Sequence, residues 1–245
     1  MNNLTLKIGD QTTACRTGGA GPSTVVLLSG LGEGMKTWDG IASSLESHVQ
    51  IFTYDRPGYG GSSHPPDCKD SRDGRFVADH LKACLDAAEI QPPYILTGHS
   101  MGGLYALAFV KAHRELVSGL VLIDSRMPAF SSACLSAGLS PEPRWFFKLL
   151  FPRQLKAEVR GAIAAEQQAA RPEDLHGLPV TAIVASRRDK GMSEPMFEIF
   201  RQLQLDFVRQ TELGRVVISE SSGHYVHQED PSLVTEEILR VAREH

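Results

Sequence analysis

The chain has 245 residues, enough for one domain with a sizeable core, and 42% of them are hydrophobic, ordinary for a globular protein. A formal net charge of −4 excludes the basic balance that nucleic acid or an anionic membrane surface selects, so neither is expected as a partner. No stretch approaches the ~18 apolar residues of a membrane span. Met1 to Lys7 lacks the basic start and apolar run of a secretory leader. Cys15, Cys68, Cys84 and Cys134 are scattered without metal-ligand spacing, which predicts free thiols in a reducing, cytoplasmic setting.

Leu4, Leu6 and Ile8 alternate with polar residues and predict a half-exposed strand. Thr12 to Thr17 returns as its hairpin partner after the Gly9-Asp10 turn. Thr24-Val25-Val26-Leu27-Leu28 is continuously apolar, as in a strand covered on both faces. It runs into Ser29-Gly30-Leu31-Gly32-Glu33-Gly34, whose glycines let the loop fold close to a ligand. A helix is predicted around Trp38 to Leu45 and a strand over Val49 to Tyr54. Asp55 and Arg56 open a long glycine-rich loop through Ser63 and are expected to brace it. Phe76, Val77, Leu81, Cys84, Leu85 and Ala88 fall at helical spacing, ending before Pro92.

Pro93 to Thr97 reads as a strand and Gly103 to Val110 as a buried helix. Between them lies Gly98-His99-Ser100-Met101-Gly102. Strand, Gly-x-Ser-x-Gly, helix is the context of a nucleophile elbow, a tight turn that lifts the Ser100 hydroxyl above the sheet edge. The same turn brings the Met101 N–H toward an oxyanion at the reacting centre. If the sheet is parallel here, the Leu31 N–H lies at the same edge as a second donor.

Val117 to Ile123 predicts another strand, with Asp124 at its end. Strand–helix alternation then lapses, so residues 125–177 are expected to form a helical cap inserted into a core made of 1–124 and 178–245. Ser140-Pro141-Glu142-Pro143 is expected to start a helix with Trp145, Phe146, Leu149 and Leu150 on its apolar face, and Leu155 to Ala170 a second. Pro179 to Ala185 resumes the strands and leads to Arg188-Asp189. A helix follows over Glu194 to Gln210, then the last strand, Val216 to Ile218, and the Ser222-Gly223-His224 loop. Pro231 opens the final helix.

Alternating strands and helices predict a mostly parallel sheet covered on both faces, with ligands beyond the carboxyl ends of the strands. Ser100, Asp124, Asp189 and His224 all lie just past predicted strands and should gather there. A serine nucleophile needs a base at about 2.6–3.2 Å, and the base needs an acceptor to orient it. His224 is the expected base, with His227 as its competitor. Asp189 is favoured over Asp124 as the acid; the other carboxylate would cap a helix or fix a loop. His224 and His227 are spaced as a metal pair could be, but no further ligand set completes it. No metal and no cofactor are expected.

Leu28-Ser29-Gly30-Leu31-Gly32, Tyr54-Asp55-Arg56-Pro57-Gly58-Tyr59-Gly60-Gly61-Ser62, Gly98-His99-Ser100-Met101-Gly102-Gly103, Arg188-Asp189 and Ser222-Gly223-His224 occur in the order found in the α/β-hydrolase superfamily. Over nearly its whole length the chain resembles a member. One departure is Ser29-Gly30, where many relatives begin the oxyanion loop with His-Gly. The resemblance implies an α/β fold with a mostly parallel eight-stranded sheet, helices on both faces and a helical cap. It further implies two-step acyl transfer: Ser100 as nucleophile, His224 as base and then acid, and Leu31 and Met101 N–H groups as the oxyanion hole. A serine nucleophile argues against the dehalogenases and epoxide hydrolases of this fold, which use Asp. The expected reaction is hydrolysis of small to medium apolar carboxylic esters, with a small-molecule ester-like partner. The same triad also serves C–C hydrolysis, amide cleavage, acyl transfer or hydroxynitrile cleavage, and some proteins of this resemblance act as small-molecule sensors.

Overall fold

The computed structural model describes residues 1–65, 72–141, 150–189 and 191–244. Eight strands form one sheet in the order β1-β2-β4-β3-β5-β6-β7-β8. They are β1 (Asn2–Ile8), β2 (Gln11–Gly19), β3 (Thr24–Leu28), β4 (Gln50–Tyr54), β5 (Tyr94–His99), β6 (Val117–Ile123), β7 (Pro179–Ala185) and β8 (Leu213–Ser219). The β1–β2 hairpin joins antiparallel at one edge, and β3 to β8 run parallel.

The two-residue period of a strand sends alternate side chains to opposite faces. Val26 and Leu28, Leu96, Leu120 and Leu122 face one core, packed against α2 (Gly74–Ala87), α3 (Met101–Ala112) and α5 (Arg153–Gln168). Val25 and Leu27, Ile95, Val121 and Ile123 face the other, under α1 (Asp39–Leu45) and α8 (Pro231–Arg243). That is why the central strands read as unbroken apolar runs. β8 lies at the sheet edge and its first residues are exposed, so its start at Leu213 carries no apolar signal. β5 runs on through Gly98 and His99 because both pair with β6, opposite Leu122 and Ile123.

Between β6 and β7 lie α4 (Phe130–Ser136) and α5. Two buried carboxylates fasten α5, Glu158 to the loop after β4 and Glu166 to Arg126 and the start of α4. Glu158 accepts from Arg56 Nε at 2.7 Å and from the Tyr59 hydroxyl at 2.9 Å. Glu166 accepts from Arg126 Nε at 2.8 Å and from the Ser131 N–H. The helix expected from Ser140, with Trp145, Phe146 and Leu149, falls outside the described residues, as does Cys68; Leu150 is exposed. Two further helices, α6 (Glu194–Arg209) and the short α7 (Val226–Glu229), flank the β8 region. Among the described residues no helix is long and apolar enough to cross a membrane.

Candidate active site

Parallel register puts the carboxyl ends of β3, β5, β6, β7 and β8 along one edge. His99 pairs with Ile123, so Ser100 and Asp124 are each the first residue beyond neighbouring strands. Their backbones are linked there: the Ser100 N–H donates to the Ile123 carbonyl at 3.0 Å. Ser100 sits at φ +53°, a region that non-glycine residues seldom occupy. The crossing is tight. A Cβ on Gly102 would lie 2.1 Å from the Leu28 carbonyl oxygen, and one on Gly98 would lie 2.5 Å from the Gly102 backbone. Both positions therefore exclude any side chain.

The Ser100 hydroxyl lies 3.0 Å from His224 Nε2. The other ring nitrogen, Nδ1, donates to Asp124 Oδ2 at 2.7 Å. Asp124 is 3% exposed, and its Oδ1 accepts from the Ala185 N–H and the Gln204 side-chain amide, both at 3.2 Å. Burial alone would push His224 down; the hydrogen bond and charge of Asp124, with smaller contributions from Asp189 and Glu33, outweigh it and hold His224 above its ordinary value.

The expectation that Asp189 partners His224 is therefore corrected: Asp124 occupies that place. Asp124 directly follows β6, the strand beside β5. Asp189 lies four residues beyond β7, one strand further out, where its loop has turned into solvent. Its charge acts on His224 only through space. His227, the competing base, is not at Ser100. It is buried between Trp38 and His99, with ring centroids 4.8 and 4.3 Å away, and its Nε2 meets Thr37 Oγ1 at 2.8 Å. Burial, with the neighbouring His99 charge, pushes His227 down to about 3, so it is neutral at pH 7.

Leu31 lies in the loop after β3, and Met101 is the first residue of α3, where a helix leaves its N–H groups without intrahelical acceptors. Arg56 holds the Leu31 loop from its carbonyl side, donating to Ser29 O at 2.6 Å and Gly30 O at 2.7 Å. Asp55 accepts from the Met35 and Gly61 N–H groups at 2.7 and 3.0 Å. Asp55 thus braces its own loop, as expected, whereas the Arg56 guanidinium braces the loop after β3 instead. Ser29, in the place of the more usual His, donates to the Gly34 carbonyl and accepts from the Trp38 indole.

One cluster is invisible in the spacing of the residues. Glu33, His99 and His227, from three separate segments, bring ligand-type atoms within 4.8 Å of one another. His99 Nδ1 and His227 Nε2 are already turned onto Glu33 and Thr37, so a cation there would have to break both bonds. On the far side of His224, Phe200 stands 6.0 Å away ring to ring, and Phe130 packs edge-on against it at 5.3 Å. Leu139, Met192 and Met196 complete this apolar wall.

The geometry can be set beside known proteins. Part of the chain is 33% identical over 129 residues to a pimeloyl-[acyl-carrier protein] methyl ester esterase of Klebsiella pneumoniae, covering 52% of this chain and 46% of that one. It is 37% identical over 129 residues to a 2-hydroxy-6-oxononadienedioate/2-hydroxy-6-oxononatrienedioate hydrolase of Cupriavidus pinatubonensis, covering 49% and 43%. These matches span less than half the length of either relative. In three dimensions the chain resembles a thermophilic esterase of Thermogutta terrifontis with a TM-score of 0.70 at 18% identity, covering 100% of this chain and 99% of that one. The sequence pattern of the alpha/beta hydrolase fold family matches residues 23–188, a stretch that holds the β3 loop, the elbow and Asp124. On that match, and on the eight-stranded sheet that carries these loops, the chain belongs to the α/β-hydrolase fold family.

Proposed function

We propose that the protein is a serine hydrolase that cleaves carboxylic esters through an acyl-enzyme, with Ser100, His224 and Asp124 as its triad. The carrying observation is the continuous line from the Ser100 hydroxyl to His224 Nε2 at 3.0 Å and from Nδ1 to Asp124 at 2.7 Å. His224 takes the Ser100 proton as Oγ attacks the ester carbonyl. The Leu31 and Met101 N–H groups hold the resulting oxyanion. His224 then passes the proton to the departing alkoxide. The acyl-enzyme is released when water, deprotonated by His224, attacks the same carbonyl carbon. Asp124 keeps the ring oriented and offsets its charge throughout.

The wall of Phe130, Phe200, Met192 and Met196 beside His224 supports a small to medium apolar substrate. Residues 125–177 serve as the cap in this reading. A Cβ on Gly32 would lie 3.8 Å from Leu155 Cδ1, so α5 reaches over the oxyanion loop. The likeness to the dienedioate hydrolase favours a second reading, an anionic substrate attacked by the same serine. Against it, the guanidinium groups of Arg56, Arg126, Arg187 and Arg188 are each held by a carboxylate: Glu158, Glu166, Glu229 and Glu194.

The test is a fluorophosphonate probe together with short-chain aryl esters. Labelling confined to Ser100, with ester turnover lost in Ser100→Ala, supports the reading. An unlabelled protein without turnover sinks it. Rapid labelling without ester turnover directs the search to other acyl substrates or to a sensor.

A further inference from the structure

Glu33 and His99 take no part in the steps above, yet they join two of the loops those steps use. Glu33 Oε2 accepts from the Gly30 N–H at 2.6 Å, inside the loop that presents Leu31. The same carboxylate accepts from His99 Nδ1–H at 2.9 Å. On the opposite side of the ring, His99 Nε2–H donates to the His224 carbonyl at 2.9 Å. Burial would push Glu33 up, but the bond and charge of His99, with His227 and the Gly30 N–H, hold its carboxyl down at about 2.

We propose that Glu33 and His99 are positioning residues: one carboxylate–imidazole pair that fixes the oxyanion loop against the backbone of His224. His99 precedes the nucleophile in the chain, so the pair spans all three parts of the site: the Leu31 loop, the elbow and the His224 loop. Gly30 is shaped by it. A Cβ there would stand 2.7 Å from Glu33 Oε2 and 2.9 Å from His99 Nδ1. With Arg56 holding the loop's carbonyls, Glu33 holds its N–H side, and the loop is clamped from both directions. A loop held this way keeps the Leu31 N–H aimed at the oxyanion. Small displacements matter in such a site, where about 1 Å of misplacement costs up to ~10²-fold in rate.

The inference rests on the reading of Ser100 and His224 as nucleophile and base, and its test separates the two. Glu33→Ala, Glu33→Asp and Glu33→Gln are compared with the unaltered protein on aryl esters. Hydrogen exchange at the Gly30 amide is followed by NMR. Ala removes both bonds, and Asp is too short to reach both partners. Each is expected to lower kcat roughly 10- to 100-fold with KM little changed. Gln can set its carbonyl oxygen where Glu33 Oε2 lies and accept there from both the Gly30 N–H and His99 Nδ1–H, so it should restore most of the rate. The Gly30 amide should be protected in the unaltered protein and the Gln variant and exposed in the other two. If the Ala variant fails to fold, the Asp and Gln pair carries the comparison. Wild-type kcat in Asp, a Gln variant no better than Asp, or an unprotected Gly30 amide in the unaltered protein each overturns the proposal. A protected Gly30 amide in a protein that neither labels nor turns over removes the catalytic reading and the positioning role with it, while the tie between the loops stands.

Discussion

Asp124 meets His224 Nδ1 at 2.7 Å from the end of β6, whereas Asp189, past the end of β7, reaches the same ring only through space. Asp124→Asn should therefore lower kcat by about 10³–10⁴-fold, the scale on which losing the orienting carboxylate reverses the histidine tautomer. Asp189→Asn should leave kcat within a few-fold of wild type. Steady-state kinetics on an aryl ester ranks them; an equal or larger loss in Asp189→Asn would reassign the acid.

The raised His224 value sets the sign of the pH dependence. As a general base His224 works unprotonated, so kcat/KM should rise as pH increases, with its limb above the ordinary histidine value of about 6.5. Asp124→Asn leaves burial to dominate, and the limb should move to lower pH although the rate is small. The stability linkage runs the other way. The protonated ring is favoured by the fold, so its contribution is full below about 6.5 and lost as pH rises through the folded value. A limb in Asp124→Asn that stays put or moves up would contradict the assignment of Asp124 as the principal partner.

Arg56 and Glu158 form a buried pair, with side chains 4% and 0% exposed, linking the loop after β4 to α5. Glu158→Ala strands the Arg56 guanidinium away from water. Removing one partner of such a pair costs about 3–5 kcal/mol. Urea unfolding should show that loss in midpoint. Because Arg56 also holds the carbonyls of Ser29 and Gly30, turnover should fall as well. A loss below ~1 kcal/mol would mean water reaches Arg56 in the variant.

Gly102→Ala places a Cβ 2.1 Å from the Leu28 carbonyl oxygen, and both groups are backbone-anchored. The elbow must then separate from β3. Fluorophosphonate labelling of Ser100 should be lost or slowed by orders of magnitude, with a lower Tm. A variant that labels at the normal rate would show that the crossing can widen without moving the nucleophile.

The apolar runs at Thr24–Leu28 and Val117–Ile123 were enough to predict buried parallel strands, because a strand covered on both faces leaves no polar alternation to read. Gly98 and Gly102 marked the tight crossing for the same local reason: no side chain fits there. The meeting of Ser100 with His224, 124 residues away, followed from topology, since residues just past parallel strands share an edge. What chain order could not decide was which of two carboxylates at that edge comes within hydrogen-bonding reach. Asp124 and Asp189 both follow strands, and only the side-by-side placement of β5 and β6, with the outward turn of the Asp189 loop, separates them. The Glu33–His99 tie was hidden likewise, because it joins segments 66 residues apart through side chains that carry no periodic signal. Local sterics and burial are written in neighbouring residues; hydrogen bonds between distant loops exist only once the sheet has brought those loops together.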